Sequence, residues 1–441
     1  MKIVPLACLV VRDMELIANL AHQLEAAWAE LGGDRAGWPE RAARALADAR
    51  PCDHLTMAAL ATWAVTTEPL PPQLDPSGNF GQPPITLYRG EHFVIDALCW
   101  LGASLAIHQH AFSGAFHVLE GSSLHAIYRF AETSRLSDTM QLGALTRERV
   151  EHLARGDTRP IRSGAGLIHS LFHLARPSVT IVVRTIRDPD APPQLEYRAP
   201  GLALLGTELL GPAGQLLVQR LRVIDALHAA DPPAAFALLR ALLARCDAET
   251  WFRAVDRALI SGWLAPAQLA QLRADARPGA PIDAFHQVFE ETLRLSSLER
   301  HRAAVRDPGQ RDFLALLLHL SGRRTILAAV AARYPGDPVE TVMAWITALL
   351  GHRPAGPAGP NVLELELDEP ALVILRGLLE GLAWDAILDR LRAEFDDVDA
   401  QRDQLAGLAA ALRASRVFRN LLAEEVAPPA RATRARLPES R

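Results

Sequence analysis

Two histidines, His108 and His110, stand two residues apart in GASLAIHQHAFSGAFHVLEG, which runs from Gly102 to Gly121. A third, His169, follows in GAGLIHSLFH. Neutral imidazole is the commonest protein ligand for zinc, iron, copper and nickel. Three such ligands leave coordination positions open for substrate and oxygen, as a catalytic metal site requires. On a strand, residues two apart point to one face. The spacing therefore predicts that both rings project to the same side, beside the small residues Ser104 and Ala106, which leave room for a ligand. His169 joins the pair only if the strands close around a common interior, which a barrel provides.

The surrounding sequence offers such strands. ITLYRG, HFVIDALCW, SLAIHQH, GAFHVLEG, SLHAIYRF and SVTIVVRTI are short, rich in β-branched and aromatic residues, and separated by glycines or polar turns. That pattern predicts an all-β sandwich or barrel beginning near residue 81 and ending near Asp188 to Pro200. Before it, Leu16, Leu20, Leu24 and Trp28 recur every four residues and predict helices over residues 14 to 66. EPLPPQLDPSGNFGQPP, from Glu68 to Pro84, reads as an irregular linker or lid. From about Gly211 the chain reads as helical. Asp231 before Pro232 is a helix-start signature, and Asp368 ahead of Pro370 has the same character.

The residues flanking the histidines resemble the cupin superfamily. Its first motif, G-x5-H-x-H-x3-E-x6-G, is in register with Gly102, His108, His110, Gly114 and Gly121, with glycine replacing the glutamate that usually serves as a fourth ligand. The end of its second motif, G-x2-H-x3-N, corresponds to Gly166, His169 and His173, with His173 at the asparagine position. The resemblance covers residues 85 to 195. It implies a metal held by His108, His110 and His169. Fe(II) is the leading metal, and Zn, Ni, Mn or Cu are alternatives. His173 stands near the site as a ligand, a proton donor or a strand-edge residue.

Loss of the glutamate narrows the likeness to three-histidine cupins of the cysteine dioxygenase group, the thiol dioxygenases. LCWLGASLAIHQH, Leu98 to His110, resembles that group's approach to the ligands. Arg89 stands where those enzymes keep a carboxylate-binding arginine, a role suited to the guanidinium fork. A surface turn residue is the other reading of Arg89. The group's Ser-His-Tyr relay is missing, because Val182 and Arg184 occupy its histidine and tyrosine positions. The cysteine that some members cross-link to that tyrosine is missing too, so cysteine itself is a doubtful substrate. An inward Arg184 needs an anionic partner, either a substrate carboxylate or phosphate or an internal Asp or Glu. Tyr128 and Trp100 are candidates to line the cavity, though aromatic residues in barrels are usually core. His117 and His125 are weaker candidates, and strict alternation puts His117 on the outer face.

The chain's 441 residues, 49% apolar and 22% charged, suggest two or three domains. A net charge of −5 gives no overall basic balance for nucleic acid or anionic membranes. Four scattered cysteines without a CxxC pair predict a reducing cytoplasm and no thiolate zinc site. The opening apolar run is too short for a signal peptide, and no run of about 20 apolar residues predicts a membrane span. No Walker loop, GxGxxG fingerprint, HExxH or GxSxG occurs.

The expected organisation is α+β multidomain. A helical segment spans residues 1–80, a cupin-type β-barrel (a double-stranded β-helix) 81–200 and a helical domain 201–350. A small helical module spans 361–424, after the hinge-like GHRPAGPAGP, and a disordered tail 425–441. Ile326, Leu327, Val330 and Tyr334 share the spacing of Ile387, Leu388, Leu391 and Phe395, consistent with two copies of a helix-turn-helix unit. The module over 361–424 loosely resembles winged-helix or PqqD-like units that grip a leader peptide. Its acidic runs lack the clustered Lys and Arg of a DNA reader.

The expectation is an Fe(II) oxygenase using O2 on a small acidic or peptide-borne substrate, thiol-containing in one version. The helical half would bind a protein or leader-peptide partner, cover the barrel mouth or form a homodimer. The alternatives are a non-oxidative metal-dependent isomerase or hydrolase, and a ligand- or metal-sensing cupin.

Overall fold

A computed structural model describes residues 6–32, 34–74, 80–102, 105–186, 188, 190–277, 279–353 and 360–423. The chain divides into two compact units, Met1–Leu293 and Arg294–Arg441. The expected tail, most of the hinge-like stretch and Ser104 lie outside the described residues.

The first unit opens with helices α1 (Leu6–Leu31), α2 (Trp38–Ala49) and α3 (Met57–Thr66). Eleven strands follow: β1 (Pro84–Arg89), β2 (Phe93–Trp100), β3 (Ile107–His108), β4 (Gly114–Glu120), β5 (Ser122–Ser137), β6 (Met140–Ala154), β7 (Thr158–Ile161), β8 (Ile168–His173), β9 (Ser178–Thr185), β10 (Leu195–Arg198) and β11 (Leu202–Leu205). One sheet runs β1-β2-β9-β4-β7. The other, β10-β11-β6-β5-β8-β3, closes into a six-stranded barrel. The architecture is α+β with a large helical C-terminal part, consistent with a cupin joined to helical domains.

Burial explains why β2 and β9 read as nearly unbroken apolar runs. Phe93, Ile95, Ala97 and Cys99 of β2, with Val179, Ile181 and Val183 of β9, pack beneath Leu20, Leu24, Trp38 and Leu46 of α1 and α2. The opposite face contributes Leu98 and Val182, which join Phe116, Val118 and Leu153 against Ile127 and Leu171 of the second sheet. The layer between the two sheets is where the histidines sit. The second sheet's other face carries a separate cluster of Ile107, Ile168, Tyr197 and Ala203, packed with Tyr128 and Phe130.

The β structure extends beyond the expected end at Pro200. β10 pairs with β3, and β11 pairs with β6, which completes the closed ring. β6 also escapes a hydrophobicity scan, because Arg147, Arg149 and Glu151 stud it with charge. Helices α4 (Pro212–Ala230), α5 (Pro232–Leu243), α6 (Ala248–Ile260), α7 (Pro266–Ala274) and α8 (Ile282–Ala304) follow. Leu221, Ile224, Phe252 and Phe285 from this group pack with Met140, Leu202 and Leu204. Asp231 caps α5 by accepting from the Ala234 amide at 3.0 Å.

The second unit holds α9 (Pro308–His319), α10 (Arg323–Ala331), α11 (Pro338–Leu350), α12 (Glu369–Glu380), α13 (Trp384–Glu394) and α14 (Arg402–Ala414). The expected internal likeness corresponds to two three-helix runs, α9–α11 and α12–α14. Asp307 caps α9 and Asp368 caps α12. Gly322 and Gly381 each take positive φ before the short middle helix. No helix among the described residues is long and apolar enough to cross a membrane.

One backbone contact governs the site directly. Gly114 of β4 lies so close to β9 that a Cβ there would fall 1.9 Å from the Val183 carbonyl oxygen. No side chain fits without separating the strands, so position 114 can supply no ligand in this backbone arrangement. Gly114→Ala is expected to destabilise the fold by at least the ~1–3 kcal/mol typical of overpacking. Urea unfolding of the variant against the wild type measures this, and an unchanged midpoint contradicts it.

Candidate metal centre

His108 and His169 pair directly across β3 and β8. The ladder stops at His108, yet Gln109 keeps the chain extended. Its backbone N–H donates to the Leu195 carbonyl at 3.1 Å. Its side chain donates to the Pro193 carbonyl at 2.8 Å and accepts from the Tyr197 hydroxyl at 2.6 Å. The alternation expected of HxH therefore survives on a strand that is nominally two residues long, and His110 returns to the face of His108. One ligand atom from each of His108, His110 and His169 lies within 4.8 Å of the others, and no second such group occurs among the described residues.

The ring nitrogens suit a metal. The Nε2 atoms of His110 and His169 stand 2.9 Å apart. That separation is a hydrogen bond between the two rings, and it leaves both nitrogens close enough to turn toward one shared ion. Nε2 of His108 is buried without a hydrogen-bond partner. An orphaned buried nitrogen of this kind costs ~1–3 kcal/mol unless something engages it. Burial holds His108 down at about 4 and pushes His110 and His169 well below the ordinary imidazole value. All three are neutral at neutral pH, the form that ligates metals.

Behind His169 lies a line of polar groups that sequence reading caught only in part. His169 Nδ1 is 2.9 Å from Nε2 of His125, and His125 Nδ1 is 2.9 Å from Glu151 Oε1. Arg159 grips both oxygens of Glu151, each at 3.0 Å. Burial alone would raise the Glu151 carboxyl, but the Arg159 and His125 hydrogen bonds outweigh it and hold the group at about 2. The alternation of β5 contained a signal for His125, because Leu171 opposite it shares the face of His169. Glu151 and Arg159 become visible only once the register of β6 and β7 is known.

The other sequence candidates divide. His173, on the face of His169, lies 3.0 Å from Ser123 Oγ and stacks on Trp100 at 4.7 Å between ring centroids. Burial lowers His173 to about 3. Trp100 also donates to Thr180 at 3.2 Å. Arg184 bonds Asp96 through Nε at 2.8 Å, and its guanidinium lies 5.7 Å from the Phe112 ring centre. Of the two partners anticipated for Arg184, the internal carboxylate is present. Arg89 pairs with Val94, and Val94 with Arg184, so both arginines occupy one cross-strand row; the Arg89 side chain is exposed. Tyr128 pairs with Ile168 while Ile127 pairs with His169. Tyr128 therefore faces the cluster inside the six-stranded ring, away from the histidines. His117 is fully buried beside Thr158 and lies on the face opposite the site, where burial lowers it to about 4. Phe80, Phe112 and Phe116 complete an aromatic surround. Phe80, in the stretch read as linker or lid, stands 6.2 Å from both His108 and His110, and Phe112 lies 4.5 Å from His110.

No protein-family model and no curated protein matches the chain. Among solved structures it is similar to hydroquinone 1,2-dioxygenase PnpCD in complex with Cd2+ and 4-hydroxybenzonitrile. The identity is 18%, over 24% of this chain and 63% of that one, with a TM-score of 0.18. The chain thus spans less than two thirds of that structure's length. The barrel and the three-histidine cluster fit a cupin-like fold with a metal site.

The depressed histidines set a pH dependence. His108 and His117 are held at about 4 and His173 at about 3, by burial foremost. Unfolded imidazoles take protons below about 6.5. Between these limits the unfolded chain binds more protons than the folded one, so stability is complete above that window and is lost as pH falls through it. Metal-free protein is expected to show urea midpoints that drop steadily from pH 7.5 to pH 5. Equal midpoints at both pH values contradict the burial of neutral imidazoles.

Proposed function

We propose that this chain is a mononuclear non-haem Fe(II) oxygenase of the three-histidine cupin type. The observation carrying the reading is the convergence of His108, His110 and His169 in a space walled by aromatic rings, with a buried ring nitrogen of His108 left unpartnered. Fe(II) bound there would supply the oxygen chemistry. Three imidazoles also suit zinc, nickel, manganese or copper, which remain the alternatives.

The substrate in this reading is small or peptide-borne, with an acidic group and an apolar portion. Phe80, Phe112, Phe116 and Trp100 would exclude water and pack the apolar part. Asp96 holds the Arg184 side chain by Nε, and the terminal N–H groups on its other edge would anchor a carboxylate. Arg89, in the same row, would meet the substrate at the rim. His173, held neutral and fixed by Ser123 and Trp100, would act as a hydrogen-bonding wall; its lowered pKa makes it a poor reservoir of protons at neutral pH. A thiol-bearing substrate accords with the absence of a carboxylate at position 114. For the helical half, a leader-peptide role draws support from a groove of about 1220 Å³ lined by Met343, Leu372, Val373 and Phe395 with Glu340 and Arg376. The protein would act in the cytoplasm.

Metal analysis of purified protein and oxygen-electrode assays with small thiol carboxylates, cysteine included, test the reading. The expected result is stoichiometric iron and substrate-dependent oxygen uptake. His108→Ala is expected to lose the metal while keeping the fold. Zinc or nickel without oxygen uptake would favour an isomerase or hydrolase. Folded protein that takes up no metal would overturn both enzyme readings and leave a ligand-sensing role.

A further inference from the structure

Glu151, His125 and His169 form a hydrogen-bonded line whose direction follows from donor and acceptor chemistry. An ionised carboxylate only accepts, so His125 must carry its proton on Nδ1, 2.9 Å from Glu151. A neutral His125 then offers only a lone pair at Nε2. His169 must therefore donate from Nδ1 across the next 2.9 Å step, which leaves a lone pair on its own Nε2. That atom faces His110 in the cluster. His108 has a hydrogen bond to the Ala106 backbone, while Nδ1 of His110 is buried without a partner. The three rings thus differ in support: one is backed by a carboxylate through a second imidazole, one by a backbone group, and one by nothing.

We propose that His125 and Glu151 are positioning residues that lock His169 in the Nδ1–H tautomer and make it the strongest donor of the three to a divalent metal. Arg159 secures the far end by binding both carboxylate oxygens of Glu151. His125 is 1% exposed, so no water competes for the bond. The arrangement sends negative charge toward the metal without a carboxylate ligand, which the packing at Gly114 forbids. The proposal rests on the metal-site reading above.

The test uses wild-type protein and three variants. His125→Phe fills the space and removes both hydrogen bonds. His125→Gln keeps the polarity, since an amide oxygen can accept from His169 while its N–H donates to Glu151. Glu151→Gln removes the charge and one of the two acceptors for Arg159, while its amide oxygen can still accept from His125. Nitrogen NMR of histidine-labelled, metal-free protein reports the His169 tautomer directly. Competition with a chromophoric chelator reports affinity for Co(II). Wild type is expected to show His169 protonated at Nδ1. Loss of an outer partner typically weakens metal binding 10–100-fold, and His125→Phe should fall in that range. Glu151→Gln should show a smaller loss, and His125→Gln should bind close to wild type.

Wild-type His169 protonated at Nε2 overturns the proposal. So does a folded His125→Phe variant that binds Co(II) as tightly as wild type. If that variant fails to fold, the wild-type tautomer and the Glu151→Gln affinity decide. If wild type binds no metal, the metal reading fails, while the NMR measurement still tests the tautomer.

Discussion

Two imidazole nitrogens, from His110 just past β3 and from His169 on β8, stand 2.9 Å apart between two facing sheets, and this contact sets what the rest of the first unit has to supply. A hydrogen bond between neutral rings is worth ~0.5–1.5 kcal/mol net. That is too little to assemble strands 59 residues apart in sequence. The assembly comes from apolar burial on both sides. Leu98, Phe116, Val118 and Val182 fill the layer between the sheets, and Ile107, Ile168 and Tyr197 fill the closed ring behind the histidines. The two-residue β3 has little hold of its own; its pairing with β8 on one side and β10 on the other keeps His108 in place. Replacing any of these apolar neighbours with a polar group would move the rings before it touched them.

The approach of β4 to β9 has an electrostatic consequence. With glycine forced at position 114, all three candidate ligands are neutral. A divalent ion there would keep most of its charge, and bound cations dominate the local field of such sites. The Glu151–His125–His169 line carries negative charge toward the cluster. The open coordination face would attract an anionic group more strongly than in a site with a carboxylate ligand.

Motif spacing made the candidate ligands legible in the sequence, because His108 and His110 are local and stand at fixed intervals from the glycines around them. The helix caps Asp231 and Asp368 were legible for the same reason: a cap is a contact between near neighbours. What depends on long-range register was hidden. Glu151 meets His125 only because β5 and β6 pair as they do, and β6 carries so much charge that it does not read as a strand. Tyr128 reads from sequence either as a cavity residue or as barrel core, and its pairing with Ile168 puts it in the core on the opposite face from His169. β10 lies within the proline-rich run at the expected end of the strands and β11 just beyond it, and only the closure of the ring reveals them as strands.

Arg184 shows how such a site would trade attraction for placement. Its partner Asp96 is nearly buried and uses one oxygen for the Thr86 hydroxyl and the other for Arg184 Nε, each at 2.8 Å. The guanidinium is therefore already neutralised, so it adds little net pull on an incoming anion. It is also already held still, and a fork fixed by a carboxylate on one edge and resting against Phe112 loses less entropy when its other edge receives a ligand. An acidic substrate would gain its attraction from the metal and its orientation from Arg184. Loss of Asp96 would then affect placement more than affinity, because a mobile arginine still attracts a carboxylate but no longer directs it toward the histidines.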